Sequence, residues 1–87
     1  MQYTKDDHYT VYVLEDKKGL LYKGVTNCLD YRLFQHNNNL GNWTKNRGPF
    51  KLVYTEKYKI KTDALKREKY LKSGKGREFL KSTLLGE

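Results

Sequence analysis

The stretch TVYVLEDKKGLLYKGVT, residues 10–26, decides the fold because it predicts a β-hairpin. Val11–Leu14 is a run of β-branched, aromatic and aliphatic side chains without a breaker, and Leu20–Thr26 is a second strand segment. Between them, Asp16-Lys17-Lys18-Gly19 predicts a tight reversal in which Gly19 takes the left-handed conformation. We therefore expect the two segments to pair in antiparallel fashion.

The length of this loop determines which side chains of the hairpin are neighbours. It sets Tyr12 opposite Gly24 and places Tyr12 and Tyr22 on one face as diagonal neighbours. Gly24 has no side chain, so it should leave open space beside the Tyr12 ring. Two phenols beside a glycine predict the floor of a pocket rather than a packed core.

The composition indicates one small, basic domain. The chain has 87 residues, with 18 Lys and Arg against 10 Asp and Glu and a net charge of +8. We expect a single domain over 1–87, of which 1–7 is a flexible N-terminal segment. The charge predicts a polyanionic partner, either nucleic acid or an anionic membrane. The single Cys28 excludes an intrachain disulfide and fits a reducing cytoplasm.

The rest of the chain predicts three helices and one more strand. In chain order we expect a helix capped by Thr26 or Asn27 that fades at 37–39, a strand over Phe50–Glu56, a helix from Thr62 to about Ser73, and a helix over Arg77–Leu85. Gly74-Lys75-Gly76 is expected to break the chain between the last two helices. The predicted order of elements is β-β-α-β-α-α.

Basic side chains crowd the C-terminal third and a long polar loop over 37–49. They are Lys66, Arg67, Lys69, Lys72, Lys75, Arg77 and Lys81 in the first group, and Lys45 and Arg47, close to Trp43, in the second. Because acids do not balance them, we expect them to recruit phosphate backbones. The aromatic side chains can stack on bases, or they can simply fill the core. A membrane-surface helix is disfavoured, since the short last helix needs its apolar residues for packing.

Arg32 and His36 are spaced i, i+4 on the first predicted helix, so they share a face of it. Leu29 and Leu33 lie beside them, which places the pair at the edge of the buried stripe. An arginine at that margin can clamp a phosphate through its planar fork. The alternative is an arginine paired with a nearby acid and a histidine that faces solvent.

Glu68 lies among the apolar positions Ala64, Leu65 and Leu71 of the second predicted helix. A carboxylate in the middle of a buried stripe is costly unless it is paired or binds a metal. One interpretation is an ion pair with Arg32 or with a lysine. The other is a carboxylate that holds Mg²⁺ together with waters and substrate phosphate oxygens.

With these residues identified, the chain resembles the GIY-YIG nuclease superfamily. It is most similar to the small single-domain proteins related to the N-terminal nuclease domain of the bacterial excinuclease ABC. Thr10-Val11-Tyr12 stands where the family has its first tripeptide, and Tyr22-Lys23-Gly24 stands where it has its second. Arg32, His36 and Glu68 then follow in the expected order.

The resemblance implies an α+β fold, with a three-stranded antiparallel sheet whose first strand is central and three flanking helices. It also implies hydrolysis of a phosphodiester bond with one divalent metal, Mg²⁺ or Mn²⁺. Tyr12 would orient or deprotonate the attacking water, and Tyr22 would support it or contact the scissile phosphate. Arg32 would stabilise the phosphoryl oxygens, and Glu68 would hold the metal. A free phenol titrates near ~10, so Tyr12 needs a proton acceptor, for which His36 is the candidate.

The chain departs from the family pattern at three positions. Lys23 occupies a position usually filled by Ile, and Val25 stands where the excinuclease branch has a lysine. Strand parity puts Lys23 and Val25 on one face, so Lys23 can substitute for that lysine. Leu80 lies near the place of a late polar residue, often Asn.

We expect the partner to be DNA, either branched, damaged or single-stranded, and we expect no membrane partner. The residues expected to bind DNA are Lys23, Trp43, Lys45, Arg47, Lys72, Lys75 and Arg77. The protein is expected to be a monomer, with a homodimer as the alternative. Two other functions stay open, a non-catalytic nucleic-acid-binding module of the same fold and an adaptor that docks another protein.

Overall fold

The computed structural model describes residues 3–38 and 48–86. Its elements, in chain order, are β1 (Tyr9–Glu15), β2 (Leu21–Thr26), α1 (Leu29–Asn37), β3 (Lys51–Tyr58), α2 (Lys61–Leu71) and α3 (Gly74–Leu85). The strands form one antiparallel sheet in the order β2-β1-β3, so the first strand is central and the predicted fold is confirmed. Within the described ranges, no helix combines the length and apolar character needed to cross a membrane.

The β1–β2 hairpin has the predicted register, with Tyr12 paired to Gly24. The backbone N–H of Asp16 donates to the carbonyl of Leu20 at 3.0 Å, and Gly19 has a φ of +86°. The Asp16 side chain adds to this turn, because its Oδ1 accepts from the N–H of Lys18 at 2.8 Å and of Leu20 at 2.9 Å. A glycine at a positive φ and an aspartate that caps the turn therefore fix the register.

Strand β3 contains a bulge that the alternation of its sequence did not predict. Val13 pairs with Tyr54, but its neighbour Leu14 pairs with Leu52, so Val53 is the extra residue. One extra residue reverses which face the following side chains occupy. The predicted alternation over Phe50–Glu56 is therefore wrong. Phe50 packs against Leu14 on one face, whereas Tyr54 packs with Val13 on the other.

The central strand is buried on both faces. One face packs under α2 and α3 through side chains that are all 0% exposed, namely Val11, Val13, Ala64, Leu71 and Leu80. The other face carries Tyr12, Leu14 and Phe50, against which Leu29 and Leu33 of α1 pack as predicted. A strand covered on both faces holds its side chains in fixed directions, and this positions the residues described below.

The first two helices begin without the side-chain caps that the sequence predicted. Cys28 is the N-cap of α1, and Thr26 instead accepts from the N–H of Cys28 through its hydroxyl at 3.0 Å. Ile60 is the N-cap of α2, so Thr62 lies inside the first turn. Both predicted caps are therefore wrong. A threonine near a helix start can bond locally in other ways, and the entry of the backbone decides which residue caps.

The predicted break at Gly74-Lys75-Gly76 is instead the first turn of α3. Ser73 is the N-cap, and its hydroxyl accepts from the N–H of Gly76 at 3.2 Å. A Cβ at Gly76 would overlap the carbonyl oxygen of Tyr70 and the Cα of Leu71. Gly76 is therefore needed because α3 approaches the end of α2 closely, whereas the space around Gly74 is open.

These two glycines give a matched test of the α2–α3 junction. We expect Gly76→Ala to lower the free energy of unfolding by roughly 2 kcal/mol or more, because backbone must move to admit the methyl group. Gly74→Ala should be neutral or stabilising by about 0.5–1 kcal/mol, since its methyl group meets nothing. Urea unfolding measures both values. Equal effects of the two substitutions would refute the close approach at Gly76.

Candidate active site

Tyr12 is the central residue of the candidate site. It projects from the middle of the sheet and is only 3% exposed. Its ring lies over Gly24 of β2, where a Cβ would overlap the ring carbon Cζ and the hydroxyl oxygen. The open space expected beside the ring is thus filled by the ring itself. A glycine is required at position 24 because any side chain there would displace the phenol.

His36 is the hydrogen-bond partner of Tyr12. Its Nε2 lies 3.1 Å from the Tyr12 hydroxyl, and it is the one buried residue of α1, at 4% exposure. Phe50 packs edge-on against its ring, with 5.9 Å between the centroids. The alternative of a solvent-facing histidine is therefore wrong. A polar ring is buried here because the phenol and the imidazole satisfy each other.

Charges from two helices act on this phenol. Burial raises the pKa of Tyr12 to about 12, against the lowering effect of Arg32, and Glu68 raises it further. Burial also lowers the pKa of His36, and Arg32 adds to that lowering. Both rings are therefore neutral near pH 7, and in the Nδ1–H tautomer of His36 the phenol donates to Nε2. The structure thus brings four of the predicted residues into one electrostatic unit.

Tyr22 lies on the same face of the hairpin, as the register requires. Its hydroxyl donates to Oδ2 of Asp16 at 3.1 Å, and its ring packs edge-on against Phe50 at 5.4 Å. Asp16 is 8% exposed, and although burial opposes it, hydrogen bonds from the N–H groups of Leu20 and Lys18 keep the pKa of Asp16 low. From the sequence, Asp16 is predicted only as a turn residue. Strand parity, which put Tyr22 beside Tyr12, could have placed Asp16 on that face too.

Glu68 lies at the margin of the buried stripe rather than in its middle. Ala64 and Leu71 are buried as predicted, but Leu65 is 43% exposed. The Glu68 side chain is 21% exposed, and its carboxylate forms an ion pair with Lys72 at 3.6 Å. The lysine pair that the sequence left open is therefore present.

Glu68 has the chemistry of a metal ligand that shares its ion with a substrate. Within 3–38 and 48–86, no group of three or more His, Cys, Asp or Glu side chains is arranged to hold a metal. Mg²⁺ commonly takes one or two carboxylates and completes its shell with waters and phosphate oxygens. A half-buried carboxylate whose charge reaches Tyr12 fits that arrangement. It does not fit a cage built from protein ligands alone.

A cationic groove lies beside Tyr22. It has a volume of about 370 Å³ and is lined by Leu21, Tyr22, Lys23, Lys72 and Arg77. Burial lowers the pKa of Lys23, and the positive charges of Arg77 and Lys72 lower it further. Three ammonium or guanidinium groups close enough to repel one another form a site for an anion.

The other expected DNA-binding residues are not in the cationic groove. Lys75 is exposed in the first turn of α3, and Trp43, Lys45 and Arg47 lie outside the described residues. Lys23 lines the groove, whereas Val25 packs into the core under α2 and α3. Leu80 is fully buried, so it contributes packing and no polar group to the site.

A second polar cluster, which sequence reasoning missed, ties α2 to β3. Arg67 makes two hydrogen bonds of 2.9 Å to the carboxylate of Glu56, one from Nε and one from Nη2. The hydroxyls of Tyr54 and Tyr58 also donate to this carboxylate, that of Tyr58 at 2.6 Å. Although burial opposes it, the Arg67 hydrogen bonds keep the pKa of Glu56 low. A bidentate pair of this kind fixes the rotation of α2 against the sheet.

The position of Arg67 affects the direction of Glu68. The Arg67 guanidinium lies over the rings of Tyr70 and Phe79, 5.0 and 4.9 Å from their centroids. Successive helix residues are ~100° apart around the axis, so fixing Arg67 toward β3 also fixes where Glu68 points. Arg67 thus positions the carboxylate beside the candidate site.

The fold and these side chains define a small α+β domain of the GIY-YIG type. A family model described as the GIY-YIG catalytic domain matches residues 8–81, and the chain belongs to this family of nuclease domains. The resemblance found in the sequence is thereby confirmed.

Relatives of similar length support this assignment. A UPF0213 protein of Staphylococcus saprophyticus is 40% identical over 77 residues, which cover 87% of this chain and 93% of that protein. One from Clostridium perfringens is 48% identical over 63 residues, 71% of this chain and 68% of that protein. The solution NMR structure of a UPF0213 protein from Bacillus halodurans is 37% identical, covers 87% of this chain and 84% of that one, and has a TM-score of 0.56.

The buried, neutral state of His36 predicts a pH dependence of stability. Because its pKa is lower in the folded protein than the ~6.5 of an unfolded histidine, its contribution is present above that pH and lost as the pH falls. We expect the free energy of unfolding to decrease from pH 7 to pH 5 and His36→Gln, which can still accept from Tyr12, to reduce that decrease. Urea unfolding at several pH values measures it. The same slope in both proteins would contradict a buried neutral imidazole.

Proposed function

We propose that this protein is a metal-dependent endonuclease that hydrolyses phosphodiester bonds in DNA. The observation that supports this most directly is the Tyr12–His36 hydrogen bond of 3.1 Å, which lies within the electrostatic reach of Arg32 and Glu68. A phenol, a proton acceptor, a cation and a carboxylate are the groups needed to activate a water molecule and to stabilise a phosphoryl transition state.

In this proposal, Tyr12 and His36 act together on the attacking water. With its pKa raised to about 12, Tyr12 is a neutral phenol that is a poor base while it keeps its proton. The Tyr12 oxygen takes a proton from water as its own proton passes to Nε2 of His36. Arg32 favours this transfer at the phenol, because its charge stabilises the phenolate.

Tyr22 and Arg32 position the reactants in this proposal. The one hydroxyl proton of Tyr22 is donated to Asp16, so its oxygen can accept a hydrogen bond but not donate one. This favours Tyr22 as a support for the water rather than as a donor to the scissile phosphate. Arg32 is exposed on α1 and presents its fork to the phosphoryl oxygens.

Glu68 is proposed to hold one Mg²⁺ or Mn²⁺ ion together with the substrate phosphate. The bound ion would neutralise negative charge on the phosphate and on the leaving oxygen. Glu68 must exchange its ion pair with Lys72 for this role, and Lys72 is then available for a DNA phosphate in the cationic groove. Binding of DNA and of the metal would therefore support each other.

A second candidate function is favoured by the same ion pair. If Glu68 stays paired with Lys72, the protein binds DNA through the cationic groove and does not cut it. This non-catalytic module would show the salt-dependent affinity of a phosphate binder. It would lack any requirement for Tyr12.

Cleavage assays distinguish these two functions. We expect the protein to cut plasmid, single-stranded or branched DNA in Mg²⁺ or Mn²⁺, and we expect Tyr12→Phe and Glu68→Gln each to reduce the rate roughly 100-fold or more. The matched controls are Tyr70→Phe and Glu78→Gln, which change exposed residues outside the site and should cut like the parent. If the parent does not cut, or if the two site variants cut as well as it does, the nuclease proposal is wrong.

Metal binding gives a test that does not depend on turnover. In the Tyr12→Phe background, the electron paramagnetic resonance signal of free Mn²⁺ should show weak binding to protein alone and at least about tenfold tighter binding with an oligonucleotide. Glu68→Gln should abolish the increase. Lys72→Gln should strengthen binding without DNA, because it removes the competing ammonium group. Tight binding without DNA that survives Glu68→Gln would locate the ion elsewhere.

A further inference from the structure

Three aromatic side chains form a cluster on the surface beside α1. Tyr31 and Phe34 are 42% and 43% exposed. The ring of Tyr3 lies against both, with centroids 5.2 Å from Tyr31 and 6.0 Å from Phe34. Neither of the two buried clusters includes these rings. They are therefore an exposed aromatic surface rather than part of the core.

This surface borders a groove that carries the other groups a nucleotide would need. The groove has a volume of about 400 Å³ and is lined by Tyr3, Lys5, Thr26, Asn27, Cys28, Tyr31, Arg32 and Gln35. Rings can stack on a base, the amides of Asn27 and Gln35 can pair with a base edge, and Lys5 and Arg32 can bind a phosphate. We call it the stacking groove.

Arg32 connects the stacking groove to the candidate active site. Its charge lowers the pKa of both Tyr12 and His36, yet it also lines this groove beside Tyr31, its neighbour on α1. A phosphate held by Arg32 would therefore belong to a nucleotide whose base lies within reach of the Tyr31 ring.

The charge of the lining selects the kind of ligand. Among the described residues that line the stacking groove there are two cations and no carboxylate. The neighbouring groove, of about 560 Å³, is larger but carries Asp6 and Asp30, which repel phosphate. In a chain of net charge +8, an aromatic surface flanked by cations fits a nucleic acid better than an apolar protein surface.

We propose that the stacking groove binds an unpaired nucleobase next to the phosphate that is cut. This rests on the proposed function, and it specifies the substrate class. Inside a duplex both faces of a base are covered by its neighbours, so a base can stack on Tyr31 or Phe34 only where the duplex is open. The protein therefore prefers single-stranded DNA, or the single-stranded part of branched or damaged DNA, to continuous duplex.

Binding in EDTA tests this without any cleavage. Fluorescence anisotropy would compare a labelled single strand with a blunt duplex of the same sequence. We expect Tyr31→Ala and Phe34→Ala each to weaken single-strand binding about tenfold and to change duplex binding less than about twofold. Tyr31→Phe, which keeps the ring, should bind the single strand like the parent. Leu65→Ala is the matched control, because Leu65 has the same 43% exposure as Phe34 but lies on α2.

A base analogue reports the stacking itself. The fluorescence of 2-aminopurine in the single strand should be quenched when the parent or Tyr31→Phe binds, and not when Tyr31→Ala binds. Equal losses for single strand and duplex, no loss in either, or quenching that survives Tyr31→Ala would each overturn the proposal. So would sedimentation showing a dimer that Tyr31→Ala dissociates, since the aromatic surface would then bind a second copy of the chain.

The outcomes separate this proposal from the nuclease proposal. If the protein never cuts but loses single-strand binding on Tyr31→Ala, the stacking groove is supported and the nuclease proposal fails. If the protein cuts and Tyr31→Ala binds single strands normally, the nuclease proposal is supported and the stacking groove fails.

Discussion

The passage of the Tyr12 ring over Gly24 is the contact on which the site depends. Tyr12 lies on the central strand, which both faces of the sheet enclose, so its hydroxyl can reach His36 only if β2 offers no side chain in its path. The opposite face of the same strand is locked by Val11 and Val13, which are 0% exposed. The ring therefore has a rigid support below it and one open direction above.

The charges around this ring keep it neutral until something binds. Burial dominates at Tyr12 and at His36, and Arg32 and Glu68 act on the phenol in opposite senses. A neutral pair held between a cation and an anion needs no counter-ion and tolerates burial. Any ligand that engages Arg32 or Glu68 removes one of these opposing effects. The protonation equilibrium of the pair is thus set by the two surface residues that a phosphate or a cation can reach.

How far the sequence predicts this structure depends on how local each interaction is. The register of the hairpin follows from Gly19 and from strand parity, and it placed Tyr12 beside Gly24 correctly. The bulge at Val53 and the pairing of Glu56 with Arg67 depend on contacts between separate elements, which no spacing rule reports. The helix caps failed for a similar reason, since the path of the backbone into each helix is set by tertiary packing.

The edge strand β2 orders the two grooves along one line. Tyr22 and Lys23, at its start, line the cationic groove, whereas Thr26, at its end, lines the stacking groove. A strand rises about 3.3 Å per residue, so the two ends are roughly 10–15 Å apart, a span that fits a few nucleotides of extended single strand. Gly24 lies between them, with the Tyr12 hydroxyl above it. A single strand held by its phosphates at one end and by a base at the other would therefore cross the candidate site.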